Sequence, residues 1–215
     1  MSDKRLHLVR HGEVENPGGV LYGRLPGFSL SSLGRRMAQS AANELVDDGR
    51  PVSTLIASPL ERAQQSAEPI AEAMRLPVTL DERIVEPFNA FEGQVKGGRR
   101  SAMANPRYWH RYRNPLRPSW GEPYRCIAAR SLAAMNDAWD GAPETGDIVM
   151  VSHQAVIWIT HLAVAGKPLA HNPARRRCAL SSITSFERRD GRWVEVDYRT
   201  PAQDLMVGSI DVGAV

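Results

Sequence analysis

Along this chain, short unbroken apolar runs alternate with longer stretches whose apolar residues recur at helical spacing. Residues 6–9, Leu-His-Leu-Val, predict a first strand buried on both faces, as parallel strands are. Ser31 then stands as N-cap for a helix whose Leu33, Met37, Ala41 and Leu45 form one stripe, ending at Gly49 before Pro51. Residues 54–57 predict a second strand. Ser58-Pro59-Leu60-Glu61 has the order of a capping box and predicts a helix to about Met74, kinked or broken at Pro69. Residues 77–80 predict a third strand, 124–139 a helix, and 148–151 the clearest buried strand of the chain. Near the end, residues 183–188 and 192–198 flank Asp190-Gly191, a hairpin signal. Strands alternating with helices imply an α/β fold: a three-layer α/β/α sandwich with a mainly parallel central sheet.

Composition narrows this picture. The 215 residues suit a single domain spanning 1–215, with no internal repeat and a lid or insertion at about 94–125. Net charge is +3 and the pI about 9.1, which suits an anionic ligand. Only Lys4, Lys96 and Lys167 are lysines, so the basic charge is nearly all arginine. Cys126 and Cys178 are far apart and lack metal-ligand spacing; they read as free thiols in a reducing cytoplasm. The apolar run 148–165 contains Ser152, His153, Gln154 and His161, and reads as a buried strand and helix rather than a membrane span. The insertion interleaves Arg99, Arg100, Arg107, Arg111, Arg113, Arg117 and Arg125 with Tyr108, Trp109, Tyr112 and Trp120. Such a segment covers an acidic substrate, stays solvated, or holds single-stranded RNA. No nucleic-acid partner is expected, because RNA binding leaves the strand-end histidines and their companions unexplained.

The first strand ends in Arg10-His11-Gly12-Glu13. Strand C-termini are where α/β proteins collect ligands. Gly12 permits a sharp turn, Arg10 supplies a fork for phosphate oxygens, and His11 supplies a nucleophile or proton shuttle. A second strand–histidine junction stands at Val151-Ser152-His153, and parallel neighbours would bring both to one crevice. Arg62 falls in the first turn of the helix after Ser58, where N–H groups and the helix dipole favour an anion. Glu86, between Val85 and Pro87 and near Phe88 and Phe91, has the setting of a partly desolvated acid; Glu82 and Glu92 are its rivals. His161 reads as a core or interface residue, and His7, His110 and His171 carry no such signal.

The ordered set Leu8-Val9-Arg10-His11-Gly12-Glu13, Leu30-Ser31-Ser32-Leu33-Gly34-Arg35, Ser58-Pro59-Leu60-Glu61-Arg62-Ala63, Asp81-Glu82-Arg83 with Glu86, Phe91-Glu92-Gly93 and Val151-Ser152-His153 resembles the histidine phosphatase superfamily. The resemblance implies a phosphoglycerate mutase-like fold and a metal-independent phosphatase without cofactor, acting on a small phosphorylated metabolite. It makes His11 the phosphoryl-accepting nucleophile, Arg10, Arg62 and His153 the pocket around its oxygens, and Glu86 the acid. Two departures stand out. Pro17 occupies a position where the family often has asparagine, with Asn16 one earlier, and Gln154 replaces the usual glycine. A shifted backbone would deliver the Asn16 amide to phosphate. Gln154 would narrow the pocket or touch substrate, and Arg24, in the Gly/Pro-rich loop 16–28, is placed to meet a second anionic group. The acid region, Glu86-Pro87-Phe88-Asn89-Ala90-Phe91-Glu92-Gly93, is closer to the phosphatase branch than to the phosphoglycerate mutases, which remain the alternative. The apolar helix after His153 or the C-terminal hairpin leaves a homodimer open.

Overall fold

The computed structural model describes residues 4–95, 121–207 and 209. In chain order these form β1 (Leu6–Arg10), α1 (Ser32–Asp47), β2 (Val52–Ala57), α2 (Glu61–Met74), β3 (Val78–Leu80), α3 (Tyr124–Gly141), β4 (Asp147–Ser152), α4 (Gln154–Val164), β5 (Ile183–Arg189) and β6 (Arg192–Arg199). The six strands make one sheet in the order β3-β2-β4-β1-β5-β6. The first four of these are mutually parallel, while β5 pairs antiparallel with both β1 and β6. Strand alternation sends Val9, Leu55, Ala57, Val149 and Val151 to one face, where α1 and α2 cover them with Ala41, Leu45, Ala67 and Ile70. Leu6, Leu8, Ile148, Met150 and Phe186 pack on the other face against Ala134, Met135 and Ile157 of α3 and α4. The three layers expected from the pattern are present.

Chain order and spatial order differ at one place that matters. After β1 the chain passes to β2 and β3, then returns to insert β4 between β1 and β2, with Arg10 paired to Ser152. The C-terminal ends of β1 and β4 are therefore neighbours, at the point where α/β sheets bind ligands.

Local chemistry fixes the path of the chain out of β1. Ser31 caps α1, its Oγ accepting from Gly34 N at 2.9 Å and donating to Glu13 Oε2 at 2.5 Å. Ser31 N donates to Glu13 O at 3.0 Å, so Glu13 is spent on anchoring this helix. Two glycines allow the approach. A Cβ on Gly12 would lie 2.3 Å from Gly34 O, and one on Gly34 would lie 2.0 Å from Glu13 O. At the hairpin, Asp190 (φ 50°) and Gly191 (φ 74°) take the left-handed conformations that its tight turn demands.

Two expectations fail. The capping box at Ser58 does not form: α2 begins at Glu61, with Leu60 in the cap position and no side-chain cap. Ser58 N instead donates to Val151 O at 2.9 Å, extending the ladder, and its hydroxyl turns to His153. Pro69 does not break α2, which runs to Met74 as expected, because burial of Ser66, Ala67 and Ile70 around it carries the helix through. The arginine- and aromatic-rich insertion lies outside the described residues except at its ends. One end is held to the first loop by the bridge Val20–Val95, the other to the segment after Glu86 by the bridge Asn89–Gly121.

Candidate active site

Five side chains meet at the C-terminal ends of β1 and β4. His11 follows β1 and its N–H donates to Ser152 O of β4 at 3.1 Å. Its Nδ1 lies 2.7 Å from Gly12 O. A carbonyl can only accept, so Nδ1 carries the proton and Nε2 carries the lone pair. Gly12 N is in turn held by Ser66 Oγ of α2 at 3.1 Å. The imidazole is thus fixed in one tautomer, with its lone pair on Nε2.

Arg10 and Arg62 are each 1% exposed. Arg10 Nη1 donates to Cys178 O at 2.6 Å. Arg62 Nη2 donates to Gly23 O at 2.8 Å, and its guanidinium lies 4.7 Å from the Tyr22 ring centre. Burial lowers the Arg62 pKa, and Arg10 adds to that, while Tyr22 and Glu86 oppose it. Two guanidiniums held this far from water are costly unless an anion joins them.

His153 stands between β4 and α4, its ring 5.2 Å from that of His11 at 61°. Its Nε2 lies 2.7 Å from Ser58 Oγ. Its Nδ1 lies 3.7 Å from Glu86 Oε2. Burial drives the His153 pKa well down, helped by Arg62, His11 and Arg10. Burial drives that of Glu86 up, against the pull of Arg62, Arg176, Arg10 and Arg130. Both shifts favour the uncharged form, which weighs against an ion pair at this contact. Both Glu86 oxygens and His153 Nδ1 are buried without a hydrogen-bond partner.

The rival acids are placed differently. Glu92 Oε1 accepts from Arg24 N at 3.1 Å and Asn89 N at 3.2 Å, tying the loop together, and Glu82 is exposed. Arg24 Nε donates to Glu86 O at 2.5 Å and its Nη2 to Glu122 Oε2 at 3.4 Å, so it braces the backbone of the acid. Both polar ends of the Asn16 side chain bond to Val20 backbone, at 2.9 and 3.1 Å, closing its own loop. Gln154 Oε1 accepts from Arg176 Nη1 at 3.4 Å. His161 pairs with Glu195 and stacks on Trp158 at 4.7 Å, away from these groups.

Sequence reasoning missed three participants. Ser58 was legible, but as a helix cap. Ser66, which holds Gly12, sits on a helix face that looks merely small. Arg176 has no local motif and reaches the site only because β5 is antiparallel. No group of three His, Cys, Asp or Glu among the described residues is placed to hold a metal ion, and no described helix is long and apolar enough to cross a membrane.

Fold and site together define an α/β protein in which two buried imidazoles, a buried carboxyl and two buried guanidiniums gather at strand ends, an arrangement suited to phosphoryl chemistry. Residues 6–200 match the histidine phosphatase superfamily (branch 1). An uncharacterized protein of Mycobacterium tuberculosis is 47% identical over 201 residues, covering 93% of this chain and 98% of the relative. A glucosyl-3-phosphoglycerate phosphatase of the same species is 31% identical over 202 residues, covering 90% of this chain and 88% of its own. The native structure of a mycobacterial glucosyl-3-phosphoglycerate phosphatase superposes with TM-score 0.73 at 27% identity, over 89% of this chain and 96% of that one. The chain belongs to the histidine phosphatase superfamily, branch 1.

Proposed function

We propose that this protein hydrolyses a small phosphomonoester, without a metal, through a phosphohistidine on His11. The observation that carries the reading is the trio of orphaned buried atoms, Glu86 Oε1 and Oε2 and His153 Nδ1, beside His11. Buried polar atoms are rarely left without partners, and a substrate oxygen would satisfy these.

In the first step His11 Nε2 attacks phosphorus in line with the ester oxygen. A P–N bond forms, the P–O bond to the alcohol breaks, and Glu86 donates its proton to the departing oxygen. Arg10 and Arg62 hold the equatorial oxygens, where charge is concentrated in the transition state. In the second step the Glu86 carboxylate takes a proton from water, whose oxygen attacks phosphorus as the P–N bond breaks. Inorganic phosphate leaves and the acid is restored. Ser58 Oγ–H donating to His153 Nε2 would leave the proton on Nδ1, aimed at the phosphoryl group.

The test is phosphate release from a panel of phosphomonoesters in EDTA, wild type beside His11→Ala, with 2-/3-phosphoglycerate interconversion assayed in parallel. Release that persists in EDTA and vanishes in His11→Ala upholds the proposal. Release that needs an added divalent ion overturns the metal-free mechanism. Interconversion without net release assigns the chain to mutase chemistry.

A further inference from the structure

The segment before β5 brings one more cation to the site. Because β5 is antiparallel to β1, with Ile183 opposite Val9, the chain must enter β5 from the crevice. Arg176 lies on that approach, just past the turn Pro173–Arg175, where Asn172 Oδ1 accepts from Ala174 N at 3.0 Å. Two side chains help to fix its guanidinium. Nη1 donates to Gln154 Oε1 at 3.4 Å, one residue beyond His153. Nε donates to His171 Nε2 at 2.9 Å. His171 is itself oriented: its Nδ1 donates to Leu169 O at 2.7 Å, which leaves Nε2 as the acceptor, and its ring lies 5.2 Å from that of Tyr124.

The position of this charge needs a reason. Burial raises the Glu86 pKa, and Arg176 opposes that rise more strongly than any cation but Arg62. A group that must carry a proton to a leaving oxygen is hindered by a cation beside it. The phosphoryl group accounts for Arg10 and Arg62, which enter from β1 and α2; Arg176 arrives separately, on the side of Glu86 and Gln154. That is where the leaving alcohol must lie, since Glu86 delivers its proton there. One planar guanidinium matches the single charge and planar fork of a carboxylate.

Building on the phosphatase reading, we infer that Arg176, steadied by Gln154 and His171, is a specificity-determining residue that binds a carboxylate on the substrate's leaving alcohol. Gln154, standing where the resemblance leads one to expect glycine, is the side chain that positions it.

The matched probes are 3-phosphoglycerate and glycerol 3-phosphate, which share three carbons and a primary phosphate ester but differ in a carboxylate against a hydroxymethyl group. Wild type should prefer the carboxylated ester in kcat/KM. Arg176→Gln should cut that preference by about 10- to 100-fold, the worth of a charged hydrogen-bonded pair. Arg176→Lys should keep part of it, and Gln154→Gly should lower it without adding to Arg176→Gln. Equal use of both esters by wild type, or an equal loss on both in Arg176→Gln, overturns the inference in favour of a role confined to Glu86. Calorimetric binding of both probes to His11→Ala protein, with and without Arg176→Gln, reads the subsite without turnover. Failure of hydrolysis alone would thus sink the phosphatase reading. A carboxylate preference in binding that depends on Arg176 would still uphold this one, and its absence would overturn it.

Discussion

Replacing Glu86 by glutamine tests the centre of the mechanism, because shape and burial are kept while the transferable proton is lost. Positioned acids contribute about 10²- to 10⁴-fold, so kcat on an alkyl phosphate should fall by that factor, roughly 3–5 kcal/mol in barrier height. An aryl phosphate, whose oxygen leaves without help, should lose far less. The pH profile should change in the same sense. Burial raises the Glu86 pKa, so wild-type activity falls as pH rises through that value, and this limb should vanish in the variant. Stability runs the opposite way. The folded state holds this proton more tightly than the unfolded one, so wild type carries a cost that grows above about pH 4, the unfolded glutamate value. Glu86→Gln should therefore melt higher than wild type near neutrality, with the gap closing at acid pH. Initial rates on paired alkyl and aryl phosphates, with melting curves across pH, read all three effects. Equal losses on both leaving groups, or a variant as active as wild type on the alkyl ester, would refute the assignment of Glu86 as the acid.

Ser58→Ala removes the 2.7 Å partner of His153 Nε2; kcat/KM should drop about 10-fold, and the buried nitrogen left unsatisfied should lower stability by about 1–3 kcal/mol. An unchanged kcat/KM would show that the hydroxyl does not orient that ring. Gly12→Ala puts a Cβ 2.3 Å from the Gly34 carbonyl oxygen, and backbone cannot swing aside, so stability should fall by about 1–3 kcal/mol, or roughly 2–12 °C in Tm. At the far end of the sheet, Asp147 accepts from Arg5 N, Arg50 Nε and Arg50 Nη2 at 2.7, 2.6 and 2.9 Å, and lies 3.1 Å from His7 Nε2. Burial would raise its pKa, but these hydrogen bonds outweigh burial and hold it well below the usual carboxylate range. Its contribution is present above about pH 4 and is lost as pH falls through the depressed value. Asp147→Asn should destabilise by about 3–5 kcal/mol at neutral pH without changing KM, and a chemical denaturation midpoint that does not move would contradict this.

What the chain discloses from its letters tracks the range of the interactions involved. Ser31 as a cap, the left-handed Asp190-Gly191 turn and the apolar stripe of α1 depend on neighbours within a few residues, and these were readable. So were His11, Arg10, Arg62, Glu86 and His153, because each sits in a short motif at an element end. The buried state of Glu86 was not readable in the same way. Glu82 and Glu92 stood as its rivals, and only the return of β4 beside β1 sets His153 Nδ1 3.7 Å from Glu86. Ser58 shows the limit most sharply: serine before proline and glutamate satisfies the capping rule. A hydroxyl within 2.7 Å of a buried imidazole, its N–H already taken by Val151, has a stronger tertiary use.

Arg176 lies beyond local reading altogether. Nothing in Pro173-Ala174-Arg175-Arg176-Arg177 separates the second of three arginines from its neighbours. The separation comes from the sheet. Four parallel strands deliver their C-terminal ends to the crevice, as the alternating pattern foretells, but the reversed β5 delivers its N-terminal end. Residues preceding β5 thereby gain access to a site otherwise furnished by residues that come after strands. The same reversal explains why Cys178 O holds Arg10 and why Ser181 N reaches His11 O at 3.3 Å. Cys178 and Ser181 make these contacts through backbone atoms, so the side chains that precede them can vary while the hold on Arg10 and His11 is kept. This segment is thus where a change of substrate costs the chemistry least, and the carboxylate-preference measurement on Arg176→Gln bears directly on that principle.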